Sequence, residues 1–236
     1  MMKRIVTAAL MAAAPFAAGP AAAQNWNAEY ETTAKGYRVG NPEAPIELIE
    51  FNSYTCPHCA AFARESEAGL RYLLIHEGRA NIEVRQQVHH VIDVAAILLA
   101  ECGPDDRFFD NHRALLLSQD EWMGKARAAT QAQRNRWYSG PIASRMKAIA
   151  ADLDLDELME RRGYSASEID QCLSDSARAQ AIVDESAANA AEYGVQGTPS
   201  FVLNGKLLDG VYGWPALENA LGSPMPFSAE LSAVGD

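Results

Sequence analysis

Residues 46–59 read Ile46-Glu47-Leu48-Ile49-Glu50-Phe51-Asn52-Ser53-Tyr54-Thr55-Cys56-Pro57-His58-Cys59, and this stretch decides the fold. Its first six residues are mostly apolar and predict a strand, while Cys56 and Cys59 form a C-x-x-C motif that opens a helical pattern. The second cysteine falls one helical turn after the first, so the two sulfurs can close a small disulfide ring. The order strand, loop, C-x-x-C, helix is therefore typical of a redox centre.

The first 23 residues have the features of a secretory signal peptide. Basic residues Lys3 and Arg4 precede an apolar run from Ile5 to Ala14, and small residues close the segment at Ala23. A membrane anchor is the alternative, but this apolar run is far shorter than a bilayer span and no second candidate span follows. We therefore expect cleavage near Ala23/Gln24 and an exported chain, in a compartment where disulfides persist.

Composition limits the fold and the partners. The 236-residue chain is 48% hydrophobic, which fits a folded globule, and is long enough for one core with an inserted subdomain. Its formal net charge of −11 argues against nucleic acid as a partner, because the phosphate backbone would be repelled.

The chain has four cysteines. Spacing pairs Cys56 with Cys59, which leaves Cys102 and Cys172 on the apolar faces of two separate predicted helices. These two either form a structural disulfide or remain buried free thiols, and export together with the even count favours the bond. The long loop that it would enclose gives about 4 kcal/mol of stabilisation in the chain-entropy model.

The region around the motif predicts a β-α-β unit. Residues Gln24 to Gly40 are polar and weakly patterned, so they are interpreted as a short lead-in. The helix that begins at Cys56, in which Phe62, Leu70, Leu73 and Leu74 can share a face, joins the strand at 46–51 to a second strand at Asn81–Val88. Strands joined by a crossover helix are parallel. We assign residues 24–90 to the lead-in and the first half of the domain.

Residues 91–193 are predicted to be almost wholly helical. Val94, Leu98 and Cys102 line one face of a helix that Gly103-Pro104 stops. Ser165-Ala166-Ser167-Glu168 has the pattern of a capping box, and another helix from Ser176 to Tyr193 is closed by Gly194. This segment is interpreted as a helical insertion.

Residues 194–224 return to β structure. Two short apolar strands flank Asn204-Gly205, the dipeptide that favours a type I′ hairpin turn, and Trp214-Pro215 can start a closing helix. Residues 225–236 are expected to form a flexible tail. The order strand, helix, strand, helical insertion, hairpin, helix is that of an α/β thioredoxin fold with an inserted α-helical subdomain.

Four features together resemble the DsbA family of periplasmic thiol:disulfide oxidoreductases. They are the signal peptide, residues 50–59, the helical insertion, and Val195-Gln196-Gly197-Thr198-Pro199-Ser200-Phe201. The resemblance covers nearly the whole mature chain. It implies donation of a disulfide to newly exported, unfolded proteins with free thiols, and reoxidation by a DsbB-type membrane quinone reductase. It also implies a periplasmic monomer that uses the Cys56–Cys59 disulfide and no metal or other cofactor.

The residue types in the motif suit this chemistry. Cys56 lies at a helix N-terminus, where free backbone N–H groups and the helix dipole favour a thiolate. Pro57 fits there because its missing N–H would have had no helical partner. His58 adds a donor and, when protonated, a cation that favours the Cys56 anion over the disulfide. Cys59 is expected to be the buried partner that closes the ring and expels a mixed disulfide.

The resemblance assigns roles to four further residues. Pro199 is expected to be cis and to lie against the cysteines, with the backbone of Thr198 pairing with an extended substrate peptide. Glu50 matches a buried acid that eases proton exchange with the inner cysteine, and Arg85 falls where its basic partner is expected. Alternation along a strand leaves a solvent-facing edge position open for Glu50.

Other sites and functions remain as alternatives. The motif could be half of a zinc site with His58, His89 or His90, although export disfavours free thiolates and the two neighbouring histidines are expected in a surface loop. Haem attachment is excluded because Ala60, rather than histidine, follows Cys59.

A disulfide isomerase or reductase of the DsbC/DsbG type is the second functional hypothesis. Thr198 is common in those relatives too, but they use a separate dimerisation domain, and too few residues lie between Gln24 and Ile46 to build one. The third hypothesis is a non-catalytic thioredoxin-fold binding module, which would not need both cysteines.

Overall fold

A six-stranded mixed sheet carries the redox motif in the computed structural model, which describes residues 24–222. The strands are β1 (Tyr30–Thr32), β2 (Tyr37–Gly40), β3 (Ile46–Asn52), β4 (Ala80–Gln86), β5 (Ser200–Leu203) and β6 (Lys206–Leu207). Their order is β1-β2-β4-β3-β5-β6. β3 pairs in parallel with β4, and the other four pairs are antiparallel. The predicted signal peptide and the predicted tail lie outside the described residues.

Ten α-helices surround this sheet in the described part of the chain. They are α1 (Pro57–Ser66), α2 (Val91–Ala100), α3 (Phe108–Leu117), α4 (Gln119–Ala128), α5 (Gln131–Tyr138), α6 (Ile142–Leu153), α7 (Leu155–Arg161), α8 (Ala166–Ser174), α9 (Ser176–Tyr193) and α10 (Trp214–Ala220). A π-helix (Glu67–Ile75) continues α1, and short 3₁₀ turns occur at Trp26–Ala28 and Asp105–Arg107. The predicted thioredoxin fold with a helical insertion is confirmed, because α2 to α9 separate β3-α1-β4 from β5-β6-α10.

The helix after the motif packs against the end of the chain. Phe62, Leu70 and Leu74 are buried in one cluster with residues of β5 and α10, while Leu73 is half-buried beside it. Gly69 is required in the π-helix because a Cβ there would lie 2.2 Å from the Trp214 ring. The two halves of the sheet domain therefore meet along this helix, although the insertion separates them in sequence.

The segment predicted as a short, weakly patterned lead-in takes part in the sheet. Residues Tyr30–Gly40 contain the β1–β2 hairpin, which pairs with the free edge of β4. The Tyr37 ring stacks on Phe108, with ring centroids 3.7 Å apart, and Val39 is buried. Strands this short have too few residues for alternation to be recognised, and β4, with which β2 pairs, lies about 40 residues further along the chain.

Local signals in the insertion were confirmed. Ser165 and Glu168 form the predicted capping box, and α9 ends at Gly194, whose φ is 69°. α2 is shorter than predicted, since it ends at Ala100, so Cys102 lies just beyond the helix. The hairpin turn has positive φ at both Asn204 (47°) and Gly205 (79°), as a type I′ turn requires. No helix among residues 24–222 is both long and apolar enough to cross a bilayer.

Candidate redox site

The two cysteines of the motif occupy different environments at the start of α1. Cys56 is the N-cap residue and is half-buried, with Pro57 in the first turn, whereas Cys59 is completely buried. Both are free thiols in this structure. The Pro57 and His58 side chains are exposed. One sulfur can therefore be reached from solvent and the other cannot.

Their acidities move in opposite directions. The pKa of Cys56 is lowered to about 5, chiefly by a hydrogen bond from the Cys59 thiol and further by the Thr198 hydroxyl and the backbone N–H groups of Cys59 and His58, against burial, which raises it. Burial raises the pKa of Cys59 well above its usual range. The contribution of His58 in this geometry comes through its backbone, so the role of its imidazole stays a prediction.

The structure brings Thr198 and Pro199 to Cys56 across the whole insertion. The Thr198–Pro199 peptide bond is cis. The Cys56 thiol donates to the Thr198 carbonyl oxygen at 3.1 Å, a contact that favours the protonated sulfur. β5 begins at Ser200 and pairs with β3, which holds this loop beside the motif. The accessible sulfur of Cys56 therefore faces the carbonyl group of Thr198. The pairing of β5 with β3 fixes the direction of the chain at this point.

Glu50 lies in the middle of the sheet. It is 4% exposed, opposite Val84 on one side and Phe201 on the other, so it is not a solvent-facing edge residue. Its Oε1 atom is buried and has no hydrogen-bond partner among the described residues. Burial raises its pKa to about 8, and its negative charge contributes to the raised pKa of Cys59. A carboxyl group of this kind can change protonation near neutral pH.

The prediction that Arg85 pairs with Glu50 was wrong. Arg85 donates to Glu83 and Glu192, both at 2.7 Å, and its guanidinium lies 5.9 Å from the Phe51 ring centroid. The strand register explains the difference, because Arg85 is opposite Phe51 and therefore points to the other face of the sheet from Glu50.

Glu50 also reaches a mostly apolar cavity of about 120 Å³ between the sheet, α1 and α3. His112 lines the same cavity, and burial lowers its pKa to about 3. The His112 Nδ1 atom lies 2.9 Å from the Tyr54 hydroxyl. Two buried titratable groups are thus present near the redox motif. Burial favours the uncharged form of both, which is the protonated carboxyl for Glu50 and the deprotonated imidazole for His112.

Three residues that were not predicted to support the redox site hydrogen-bond to the loops that form it. Gln119 Nε2 donates to the carbonyl oxygens of Tyr54 and Cys56, both at 2.7 Å. His89 Nε2 lies 3.1 Å from Thr198 Oγ1. Asp93 accepts hydrogen bonds from the loop before Cys56. Asp93 lies in the first turn of α2, so its capping role could have been predicted from the sequence. No local pattern predicts the contacts of Gln119.

Within residues 24–222, no three His, Cys, Asp or Glu side chains are grouped so that they could hold a metal ion. Cys102 and Cys172 form a disulfide with an S–S distance of 2.03 Å and a Cα–Cα distance of 5.7 Å, which links the end of α2 to α8. The pair lies in the helical insertion, apart from the motif.

Comparison with solved structures extends these observations. A protein-disulfide isomerase from Novosphingobium aromaticivorans is 41% identical, with a TM-score of 0.77 and coverage of 80% of this chain and 97% of that one. Alpha-DsbA1 from Wolbachia pipientis shares the fold at 22% identity, with a TM-score of 0.54 and coverage of 86% and 90%.

Comparison with known sequences also finds disulfide oxidoreductases. A candidate protein-disulfide oxidoreductase of Rickettsia typhi is 26% identical over 168 residues, which are 71% of this chain and 54% of that protein. The chain therefore spans about half the length of the curated relatives that it matches. The model of the thioredoxin family matches residues 32–222. Together, these matches show that the chain belongs to the thioredoxin family and is similar to proteins described as a protein-disulfide isomerase and as protein-disulfide oxidoreductases.

Proposed function

We propose that this chain is a thiol:disulfide oxidoreductase that donates the Cys56–Cys59 disulfide to newly exported proteins through a mixed disulfide at Cys56. The observation that carries the proposal is the inequality of the two sulfurs. Cys56 is accessible and has a pKa of about 5, whereas Cys59 is buried and has a pKa well above its usual range. Because a stable thiolate favours the reduced pair, the disulfide becomes a stronger oxidant.

The reaction transfers two electrons from the client. A client thiolate attacks the Cys56 sulfur, the Cys56–Cys59 bond breaks, and Cys59 leaves as a thiolate that takes a proton because burial favours its neutral form. A second client thiolate attacks the client sulfur of the mixed disulfide and releases Cys56 as a thiolate. Of the two protons that the client thiols lose, Cys59 keeps one and solvent takes the other.

Glu50 suits the proton transfer to Cys59. With a pKa of about 8, its carboxyl group can both give and take a proton near neutral pH. Its charge acts on Cys59, so a proton on Glu50 lowers the cost of forming the Cys59 thiolate as it leaves. In this role Glu50 serves the buried sulfur, while Cys56 needs no base because its thiolate is already favoured.

The client would lie along Thr198 and Pro199. The backbone of Thr198, just before β5, can pair with an extended peptide whose cysteine faces Cys56. The predicted partners are unfolded or partly folded proteins with free thiols, and a DsbB-type membrane protein that takes the two electrons back. The proposed site of action is the periplasm, after cleavage near Ala23/Gln24, and the proposed state is a monomer.

The test is a glutathione redox titration of the purified mature protein, together with oxidation of a reduced, unfolded model protein. We expect a potential well above the value of about −270 mV for thioredoxin, and client oxidation that Cys56→Ser abolishes. The double variant Cys102→Ala/Cys172→Ala is the matched control, and it should still oxidise the client. A potential close to that of thioredoxin would reject the oxidase function.

Isomerase activity is the second candidate, favoured by the 41% identical Novosphingobium structure, which is described as a protein-disulfide isomerase. An isomerase starts as the reduced form, and the Cys56 thiolate attacks an incorrect client disulfide without net electron transfer. The two functions are separated by comparing rescue of a scrambled, disulfide-bonded protein with oxidation of the same protein in reduced form. Faster rescue of the scrambled protein would favour the isomerase.

A further inference from the structure

A buried carboxylate joins the two loops that form the redox site. Asp93, in the first turn of α2, is completely buried. Its Oδ1 atom accepts from the Ser53 hydroxyl and the Thr55 N–H, both at 2.9 Å. Its Oδ2 atom accepts from the Thr55 hydroxyl (3.0 Å), the His89 N–H (3.0 Å) and the His90 N–H (2.9 Å). Five donors thus converge on one side chain.

Helix capping explains only part of this arrangement. As the third residue of α2, Asp93 accepts from the backbone of the N-cap residue His90, which completes a capping box, and a negative charge is favourable there. Capping requires neither contact with the Ser53 hydroxyl nor either contact with Thr55. Those three hydrogen bonds lead to the loop between β3 and Cys56, in another part of the sequence.

The same carboxylate also reaches the substrate side of the site. It fixes the backbone of His89, whose Nε2 atom lies 3.1 Å from the Thr198 hydroxyl oxygen. Thr198 in turn accepts from the Cys56 thiol through its carbonyl oxygen. Asp93 therefore forms hydrogen bonds with Thr55, the residue before Cys56, and with His89, the residue that contacts Thr198.

We infer that Asp93 is a positioning residue, which holds Cys56 at the N-terminus of α1 in a fixed relation to Thr198. Hydrogen bonds weaken steeply with distance and angle, so the N–H groups and hydroxyl that stabilise the Cys56 thiolate act only while this loop is held in place. The expected effect of Asp93 on client oxidation rests on the proposed function, whereas its expected effect on the pKa of the Cys56 thiol does not.

Asp93→Asn tests this inference, since it keeps the shape but replaces one acceptor oxygen with a donor. The Cys56 thiolate is titrated by its ultraviolet absorbance in the reduced protein, and the glutathione equilibrium is measured beside it. We expect the Cys56 pKa to rise by about one unit and the pair to become about tenfold more reducing. If the Cys56 pKa rises in the variant while the wild-type protein fails to oxidise clients, the proposed function is rejected and the inference is supported.

The sign of the change separates positioning from simple charge. If Asp93 acted only as a nearby negative charge, its removal would lower the Cys56 pKa, and that result would overturn the inference. An unchanged Cys56 titration with reduced stability would overturn it too, because it would show a structural cap and no more.

Thr55→Val keeps the test decisive if Asp93→Asn does not fold. It removes one hydroxyl donor with little change of shape, and we expect a smaller rise of the Cys56 pKa, about threefold in the acid dissociation constant. An unchanged titration in Thr55→Val would overturn the inference. Asn111→Ala is the matched control, since Asn111 is another buried hydrogen-bonding centre, with contacts to Cys102 and Tyr164 in the insertion. It should reduce stability and leave the Cys56 titration unchanged.

Discussion

The two cysteine pairs of this protein differ in the properties that decide whether a sulfur reacts. Cys56 and Cys59 lie one helical turn apart, one accessible and acidic, the other buried and hard to ionise. Cys102 and Cys172 are separated by 70 residues and form a disulfide between α2 and α8. Backbone N–H groups and a neighbouring thiol therefore make one cysteine reactive, while closing a long loop gives the other pair a structural role.

Cys59→Ser should have the largest effect, because it removes all catalytic oxidation of a reduced client. The Cys56 thiolate remains, so it can still attack a client disulfide, but no second sulfur is present to expel the client. A stable mixed disulfide at Cys56 should accumulate, which mass spectrometry without reductant detects. Release of the client at the wild-type rate would contradict the assigned role of Cys59.

Removing the Cys102–Cys172 disulfide should lower stability and leave client oxidation nearly unchanged. For Cys102→Ala/Cys172→Ala we expect a loss of about 4 kcal/mol in the free energy of unfolding, from the chain-entropy model for a loop of this length. Denaturant unfolding under oxidising conditions measures this. Client oxidation, assayed well below the unfolding midpoint, should be close to wild type. A large loss of activity there would show that the two pairs are coupled.

Glu50→Gln should change the pH dependence of stability. The folded-state pKa of Glu50 is about 8, above the value of 4.5 for the free side chain. Its contribution to stability is therefore fully present below pH 4.5 and is lost as the pH rises through 8. Since Gln does not titrate, the wild type should lose a few kcal/mol relative to the variant between pH 5 and pH 9.

Urea unfolding of both proteins in the oxidised form measures this, because Cys56 and Cys59 do not titrate while they are bonded. His112 has a lowered pKa and affects stability only as the pH falls below its free value of 6.5. Its effect is common to both proteins and cancels. Parallel pH profiles for the wild type and the variant would contradict the assignment of Glu50.

His58→Ala should have the smallest effect. The imidazole is exposed, so its interaction with the Cys56 thiolate is screened, and we expect the glutathione equilibrium to become about threefold more reducing. An unchanged equilibrium would limit the role of His58 to its backbone N–H.

Features that depend on neighbouring residues could be predicted from the sequence. The turn at Asn204-Gly205 needs two residues with positive φ, and the capping box at Ser165 needs a partner three positions later. The start of α1 at Cys56-Pro57 follows from the missing N–H of proline. In each case the physical cause lies within one turn of the chain, so the pattern was sufficient.

Features that depend on distant residues could not be predicted in the same way. The β1–β2 hairpin exists because β4 offers a free edge. Arg85 was assigned to Glu50 from its place on the next strand, but register places the two on opposite faces. The contacts of Asp93 with Ser53 join residues 40 positions apart, and no local pattern encodes them.

The central position of β3 has a consequence for the order of assembly. β3 pairs with β4 and also with β5, and the contact between Cys56 and Thr198 spans 142 residues. Because synthesis begins at the N-terminus, the thiols of Cys56 and Cys59 are present before β5 has been made. Contacts of such long sequence separation form late. Under the proposed function, the protein would itself be a thiol-bearing chain that must complete its sheet before it can oxidise another.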